Sequence, residues 1–448
     1  MTNSLNSIIS PNTGIRPASC LVNQAGHLVV GGCDVLELAA EFGTPLWIID
    51  EQTIRQSVAS YKEGLKDYPN AQILYAGKSF LCLAMVHLLK EMGLGLDVVS
   101  EGELYTARVA GLPAERICMH GNNKSHAELK AGLEYGDVTV VVDNMSELLA
   151  LNSIAESLGK KARVLLRVIP GVEPDTHKHI KTGQHDSKFG IPLSETLQVA
   201  KHALEMPGID LKGLHAHIGS QALELQPYLE NAEIFAELAL KLKKELGFEI
   251  SVLDVGGGLG IKYSEKDQPV SSFEWAQSIS KCVKEVFEMR SLSLPHLLIE
   301  PGRSLIGTAG VTIYRVGHCK QLPGGKRFVA VDGGMADNPR PITYQAPYTA
   351  IVANRANTHP ASDPVTIVGR YCEQGDIIIN EAYLQADAGD LIAIFGTGAY
   401  NYSMASNYNR SPRPACVLVA DGAAEIIIER ESNDDLLSKD RVPKRLKR

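Results

Sequence analysis

Apolar and polar residues form two alternating kinds of segment along most of the chain. Short apolar runs predict β-strands, and the longer stretches between them carry apolar residues at helical spacing. The predicted strands are 73–78, 96–100, 117–121, 138–144, 164–169, 213–219, 252–256 and 297–302. The predicted helices include 79–91, 101–111, 125–135, 145–158, 193–206, 223–246 and 273–289. Eight such strands predict a (β/α)8 barrel, and a doubly wound sheet is the less favoured alternative because no Rossmann-type start is present.

The pattern changes on both sides of this region. Residues 18–33 have the pattern of short strands around glycine turns, and after 303 strand-like runs are separated by Gly and Pro instead of long helices. These features predict an α/β protein that combines a TIM-like (β/α)8 barrel with a second, mainly β domain. We expect 1–37 to be an N-terminal β element joining the β domain, 38–305 the barrel, 306–431 the C-terminal β domain and 432–448 a disordered tail.

Composition narrows the classes of function. The 448 residues are 44% hydrophobic and 21% charged, as in ordinary globular proteins, and the net charge of −8 argues against a nucleic-acid-binding surface. No apolar run approaches the roughly 18 residues of a membrane span, and 1–23 contain no apolar signal-peptide core. We therefore expect a cytoplasmic protein with neither nucleic-acid nor membrane partners. The eight cysteines are scattered without a C-x-x-C pair, so no disulfide framework is expected.

Polar residues cluster at the carboxyl ends of the predicted strands, where barrel enzymes build their active sites. The polar strand ends are Lys78, 120–123, Arg167, 215–221, 254–260 and 300–303. Lys78 follows an apolar run, and desolvation there would favour the neutral amine that forms a Schiff base. Gly256, Gly257 and Gly258 would leave backbone N–H groups free to bind an anion, and phosphate sites in barrels commonly occupy the loops after strands seven and eight.

A phosphate site, an imine-forming lysine and a carboxylate at one end of a barrel suggest pyridoxal 5'-phosphate. That cofactor withdraws electrons best with its ring nitrogen protonated, and Glu300 is the candidate for the carboxylate beside it. His217 could lie against the ring, and Ser220 could donate to the phosphate. Two alternatives remain for the histidines: His217 as a hydrogen-bonded core residue, and a metal site containing His215 and His217. The sequence shows no carboxylate or cysteine set at useful spacing for such a site, so no metal is expected.

These residues resemble the motifs of the fold-type III pyridoxal-phosphate decarboxylases, which combine an alanine-racemase-like barrel with a β domain. The matching motifs are 75–78, 217–221, 256–258 and 300–303, and the resemblance extends from about residue 38 to 419. Within that group the chain is similar to the diaminopimelate decarboxylase family through 120–125, 177–183, 186–190, 408–409 and 412–414. The resemblance implies decarboxylation of meso-2,6-diaminopimelate to L-lysine and CO2.

The resemblance also implies roles for individual residues. Lys78 would hold the cofactor, Glu300 would lie at its ring nitrogen, and His217 would stack on the ring. The residues implied in cofactor binding are Lys78, His217, Ser220, Gly256, Gly257, Gly258, Glu300, Pro301, Gly302, Arg303 and Tyr400. Those implied in substrate binding are Arg303, Arg340, Tyr344, Glu373 and Tyr400. Cys372 would donate the proton from a neighbouring subunit, so a homodimer with shared active sites is implied.

The implied substrate accounts for several charged residues. Diaminopimelate carries a second amino-acid head, whose carboxylate would bind Arg303 and Arg340 and whose ammonium would bind Glu373. Gln374 departs from the serine that frequently follows Cys-Glu in the family, and it adjoins these distal contacts. Three alternatives remain: a decarboxylase of ornithine, arginine or lysine, a racemase with arginine at the ring nitrogen, and a catalytically silent regulatory homologue.

Overall fold

A computed structural model describes residues 10–172 and 187–447 of the chain. Its strands are β1 (Leu21–Val22), β2 (Leu28–Val30), β3 (Cys33–Asp34), β4 (Leu46–Asp50), β5 (Ala71–Ala76), β6 (Gly95–Val98), β7 (Ile117–Met119), β8 (Thr139–Val142), β9 (Ala162–Ile169), β10 (Ile191–Pro192), β11 (Ile209–His215), β12 (Val252–Asp254), β13 (His296–Ile299), β14 (Gly310–Gln321), β15 (Arg327–Val331), β16 (Ala350–Val352), β17 (Val365–Val368), β18 (Ile377–Ala382), β19 (Leu391–Phe395), β20 (Ala415–Ala420) and β21 (Ala423–Ile428). Its α-helices are α1 (Val35–Phe42), α2 (Glu51–Leu65), α3 (Leu83–Glu91), α4 (Glu101–Val109), α5 (His126–Tyr135), α6 (Met145–Ser157), α7 (Leu193–Glu205), α8 (Gln226–Leu246), α9 (Ser272–Met289), α10 (Arg303–Ile306), α11 (Arg340–Tyr344) and α12 (Asn433–Leu437). Among these described helices, none combines the length and the apolar composition of a membrane span.

The described residues divide into two compact units. The first contains 10–13, 55–172, 187–261 and 267–305, and the second contains 14–54, 262–266 and 306–447. Residues 38–54 therefore belong to the second unit, whereas the sequence predicts a barrel domain that begins at residue 38.

The first unit contains a closed parallel barrel, which confirms the predicted fold class. From β5 the strands pair in chain order through β9, β9 then pairs with β11, and β13 closes the barrel by pairing with β5. Each of the eight predicted strands overlaps one of these eight barrel strands. A buried cluster takes one residue from each of six strands: Leu74, Cys118, Val141, Leu165, Val252 and Leu298. Side chains thus fill the barrel interior, as expected for this strand number.

Several helices of this unit begin after a polar N-cap residue whose side chain accepts a backbone hydrogen bond, namely Ser100, Ser125, Asn144 and Ser271. Ser125 and Glu128 form a capping box at the start of α5, and Ser271 and Glu274 form another at the start of α9. These reciprocal bonds satisfy amides that the first helical turn leaves without partners. The caps therefore fix where the loop between a strand and its helix ends.

The second unit is built on a sheet with the strand order β18-β17-β15-β14-β4-β20-β21, and β19 pairs with β14 and β16. β4 pairs antiparallel with β14 and parallel with β20, so it lies inside the sheet. All residues of Leu46–Asp50 are buried, and this strand is not among those predicted from the sequence. Its side chains join a core shared with β2, β14, β19 and β20. The mainly β second domain of the predicted fold is confirmed.

The segment 432–447 contains a helix, although its sequence predicts a disordered tail. Helix α12 follows Ser432, whose side chain forms a capping box with Asp435. Arg410 donates to Asp440 Oδ2 at 3.0 Å. Local capping and this ion pair account for structure in a segment that lacks apolar periodicity.

Candidate active site

The loop after β13 packs against the loop after β5. The amide of Ala76, the last residue of β5, donates to the carbonyl oxygen of Pro301 at 3.2 Å. A Cβ atom at Gly302 would lie 2.3 Å from Ser79 Oγ and 3.0 Å from Ala76 Cβ, so a larger residue there would displace the Ser79 side chain. Parallel strands place their carboxyl ends at one end of a barrel, and these contacts occur there.

Lys78 lies in a 3-10 turn, Gly77–Ser79, directly after β5. The expectation that Lys78 is desolvated is wrong for the single chain, in which this residue is exposed. Its positive charge nevertheless opposes the rise that burial causes in the pKa of Asp97, and it adds to the fall that burial causes in the pKa of His217. The amine is therefore within electrostatic range of both side chains.

Glu300, the first residue after β13, lies between two histidines. Its Oε1 is 2.6 Å from His120 Nε2, and its Oε2 is 3.3 Å from His215 Nε2. The two imidazole rings meet edge to face with centroids 4.9 Å apart. All three side chains are buried. Because a carboxylate can accept about four hydrogen bonds, Glu300 can still accept another.

The pKa values of the buried carboxyl groups and histidines around Glu300 are shifted in different directions. Burial opposes the charged form of Glu300, but its interactions with His120 and His215 outweigh burial and hold its pKa well below the usual value. Burial and the charge of Glu300 raise the pKa of Asp254 well above its usual value, and burial also raises the pKa of Asp97. Burial lowers the pKa of His215 to about 4, against the opposing effect of Glu300. Glu300 is therefore the carboxylate that most strongly favours the ionised form.

The structure corrects one part of the metal interpretation. Ligand atoms of His120, His215, Asp254 and Glu300 lie within 4.8 Å of one another. Two carboxylates and two histidines are therefore close enough together to bind one metal ion. The group excludes His217, and its carboxylates come from the end of β12 and the loop after β13, which sequence spacing did not reveal. The same arrangement fits an organic cation, since an ionised carboxylate fixed by two histidines attracts a protonated ring nitrogen.

Close packing requires the glycine run after β12. A Cβ atom at Gly257 would lie 1.9 Å from the carbonyl oxygen of Glu300, and one at Gly258 would lie 2.2 Å from that of Gly219. The amide of Glu300 also donates to the carbonyl oxygen of Gly256 at 2.8 Å. In the part of the chain that the structure describes, the amides of Gly257 and Gly258 donate to no protein acceptor, which fits a phosphate as their partner.

The loop after β11 contributes Ser220 and His217. Arg303 Nη2 donates to Ser220 Oγ at 2.9 Å, so two of the predicted cofactor residues are in direct contact. Burial, followed by the charges of Lys78 and Arg167, holds the pKa of His217 well below its usual value. A neutral imidazole can stack on an aromatic ring without burying a charge.

The predicted substrate residues of the second unit lie in different environments. Arg340 begins α11 and is 6% exposed, whereas Tyr344 ends the same helix and is 59% exposed. Tyr400 is half-buried and has a φ of 62°, which is uncommon for a residue other than glycine. Backbone outliers of this kind cluster at functional sites, where the surrounding structure holds them in place.

Cys372 and Glu373 are exposed in the single chain and are held by the motif at 408–409. The amide of Cys372 donates to Asn409 Oδ1 at 3.1 Å, and the Tyr408 hydroxyl donates to Glu373 Oε1. Asn409 and Arg410 both have positive φ values, 50° and 57°. The sequence predicts no individual role for this motif, which is part of the family resemblance alone.

Sequence reasoning also left His120 and Asp254 without a role. Both were among the polar strand ends, since His120 follows β7 and Asp254 ends β12. The strand-end rule could have grouped them with Glu300, because all these strands end at the same side of the barrel. The family motif 177–183 and residue 186 lie outside the described residues.

Comparisons with known proteins agree with these observations. The family model described as "Pyridoxal-dependent decarboxylase, pyridoxal binding domain" matches residues 51–307. The chain is 44% identical over 449 residues to diaminopimelate decarboxylase of Synechocystis sp., with 98% of this chain and 95% of that protein covered. It is 46% identical over 427 residues to diaminopimelate decarboxylase of Bacillus subtilis, with 93% and 96% covered.

A solved structure extends this similarity to three dimensions. Diaminopimelate decarboxylase of M. jannaschii in complex with L-lysine matches with a TM-score of 0.90 at 35% identity, and the match covers 97% of this chain and 100% of that chain. The family model spans the whole glutamate–histidine cluster and Lys78, and the full-length relatives extend over both units. The chain therefore belongs to the diaminopimelate decarboxylase family of pyridoxal-dependent decarboxylases.

Proposed function

We propose that the protein decarboxylates meso-2,6-diaminopimelate at its D-centre to give L-lysine and CO2, with pyridoxal 5'-phosphate as cofactor. The observation that carries the proposal is that Lys78, the ionised Glu300 with its two histidines, and the glycine run 256–258 share one end of the barrel. Similarity to diaminopimelate decarboxylases over nearly the whole chain supports the choice of substrate.

In this proposal the first unit is the cofactor-binding domain. Pyridoxal phosphate, when bound, supplies an electron sink for the bond that breaks at the substrate α-carbon. Lys78 would provide the amine that holds it, Glu300 would keep its ring nitrogen protonated, and His217 would lie against its ring. The remaining proposed cofactor residues are Ser220, Gly256, Gly257, Gly258, Pro301, Gly302, Arg303 and Tyr400.

Substrate choice is assigned to charged and hydroxyl side chains. Arg303, Arg340 and Tyr344 would bind the distal carboxylate of diaminopimelate. Glu373 would bind its distal ammonium, and Tyr400 would contact the substrate as well as the cofactor. Ornithine and lysine as substrates lack the distal carboxylate, and each desolvated arginine left without an anion would cost about 1–3 kcal/mol. This penalty favours diaminopimelate over the alternative basic amino acids.

Protonation of the α-carbon that has lost CO2 is assigned to the Cys372 thiol of a partner subunit in a homodimer. The exposure of Cys372 and Glu373 in the single chain supports this assignment, since both remain accessible to a second chain. A cytoplasmic location belongs to the same proposal, because the substrate is an intermediate of amino-acid biosynthesis.

The test is a substrate panel with product identification. The purified protein, supplied with pyridoxal phosphate, is incubated separately with meso-diaminopimelate, L-ornithine, L-arginine and L-lysine. We expect L-lysine and CO2 from diaminopimelate and no product from the others. A diamine or agmatine as the main product would instead identify a basic-amino-acid decarboxylase, and a protein without cofactor absorbance or turnover would be a silent homologue. A Lys78→Ala variant that kept both the absorbance and full turnover would contradict the role of Lys78.

A further inference from the structure

Arg340 of the second unit is surrounded by tyrosines. Its side chain is buried, and Nη1 donates to the hydroxyl of Tyr263 at 2.6 Å and to that of Tyr348 at 2.9 Å. The guanidinium carbon lies 4.9 Å from the centroid of the Tyr263 ring and 5.8 Å from that of the Tyr348 ring. Two hydroxyls and two aromatic faces thus fix both the position and the plane of the guanidinium.

A chain of buried polar side chains continues from Tyr348. Its hydroxyl donates to Asn401 Oδ1 at 3.3 Å, and Asn401 Nδ2 donates to Asn338 Oδ1 at 2.6 Å. Tyr348, Asn401 and Asn338 are 6%, 0% and 1% exposed. Since Asn401 directly follows Tyr400, the chain also anchors the backbone at that positive-φ residue.

The described hydrogen-bond partners of Arg340 are neutral hydroxyls, so none of them is a counter-ion for its charge. Burial opposes the charged guanidinium, but the two tyrosine hydroxyls raise the pKa of Arg340 above its usual value. The described residues supply Arg340 with neutral oxygen acceptors and with no carboxylate partner. A buried, charged and rigidly held guanidinium of this kind is prepared to bind an anion by bidentate hydrogen bonds.

We propose that Tyr263 and Tyr348 are positioning residues that orient Arg340 for the distal carboxylate of the substrate, and that Asn401 fixes Tyr348 in that arrangement. The inference rests on the proposed function, which assigns Arg340 to this carboxylate. The product L-lysine retains the carboxylate, whereas 1,5-diaminopentane is the same molecule without it. Binding of these two ligands therefore separates carboxylate recognition from every other contact.

The experiment measures dissociation constants of L-lysine and 1,5-diaminopentane for the holoenzyme by calorimetry. The variants are Tyr263→Phe and Tyr348→Phe, which remove one hydroxyl each, and Arg340→Met. Tyr383→Phe serves as the matched control, because Tyr383 is exposed and its hydroxyl lies outside the network. We expect each of Tyr263→Phe and Tyr348→Phe to weaken L-lysine binding ~5- to 20-fold, the effect of one lost hydrogen bond to a charged group. Binding of 1,5-diaminopentane should change less than about twofold.

Kinetics provide a second readout that general structural damage would not reproduce. We expect both variants to raise KM for meso-diaminopimelate more than they lower kcat, since the lost contact lies away from the reacting carbon. If both bind L-lysine as the parent does while Arg340→Met binds it more weakly, the positioning role is wrong and the proposed function stands. If both ligands weaken equally, the positioning role is likewise overturned. If Arg340→Met leaves L-lysine binding unchanged, the proposed assignment of Arg340 itself fails.

Discussion

The Nε2 atom of His120 lies 2.6 Å from Oε1 of Glu300, between side chains that are 5% and 6% exposed. A buried carboxylate in such a contact has a fixed orientation and favours the ionised form. In the proposed reaction this charge keeps the cofactor ring nitrogen protonated. The charge of Glu300, beyond its size and shape, should therefore control the rate.

Glu300→Gln tests this directly, because glutamine keeps the shape and removes the charge. We expect kcat to fall at least ~100-fold, since an unprotonated ring nitrogen makes a poor electron sink. Initial rates of L-lysine formation are measured together with cofactor content by absorbance. Glu101→Gln, at an exposed position, is the control and should retain full activity. A Glu300→Gln enzyme with bound cofactor and more than half of the parent activity would refute the role.

The buried His215 should make the fold sensitive to acid. Its pKa is lowered to about 4 in the folded chain, whereas an unfolded histidine titrates near the ordinary value of 6.5. The unfolded chain thus binds the extra proton first, so stability is complete above about pH 6.5 and falls as the pH drops towards 4. This single group should remove ~3 kcal/mol of unfolding free energy over that range.

Urea unfolding at a series of pH values measures this effect. A His215→Gln variant should show a shallower loss of stability between pH 6.5 and 4, whatever its stability at neutral pH. His202→Gln, which changes an exposed histidine, should keep the slope of the parent protein. Parallel slopes for the His215→Gln and parent proteins would show that protonation of groups other than His215 causes the loss of stability at low pH.

The barrel was predictable because its strands combine apolar runs with polar ends at regular spacing. The strand β4 could not be predicted in the same way, although Leu46–Asp50 is as apolar as the barrel strands. Its partners β14 and β20 lie hundreds of residues away, and no local pattern indicates a pairing of that kind. Helix α12 was missed for the opposite reason, since a capping box stabilises it without an apolar face.

The candidate site was only partly predictable for a similar reason. A motif identifies Glu300 or Lys78, but the partners of Glu300 arrive from other strands and depend on how the barrel closes. His120 and Asp254 are therefore visible in the sequence only as polar strand ends. The glycine run 256–258 is a further example. Its sequence suggests an anion site, but glycine is also required at Gly257 because the backbone of Glu300 lies too close for a side chain, and only the folded structure reveals this contact.

Shared active sites predict recovery of activity when two inactive variants are mixed. Lys78→Ala and Cys372→Ala should each be inactive as pure dimers. After mixing and subunit exchange, a hybrid dimer contains one site with both residues intact, so random pairing should restore about one quarter of the parent activity. Mixing Lys78→Ala with Glu300→Gln is the matched control, because both residues belong to the same barrel and no hybrid site is complete. Equal activity in both mixtures, or none in either, would argue against a shared site.

Gly257→Ala tests how far packing controls the cofactor site. The added Cβ would lie 1.9 Å from the carbonyl oxygen of Glu300, so the β12 loop or the β13 loop must shift. We expect a loss of ~1–3 kcal/mol in unfolding free energy and weaker retention of pyridoxal phosphate on dialysis. Gly324→Ala is the control, because a Cβ there meets nothing within 4 Å and should leave both properties unchanged. If Gly257→Ala matched this control in stability and cofactor retention, the close approach of the two loops would not be needed for the site.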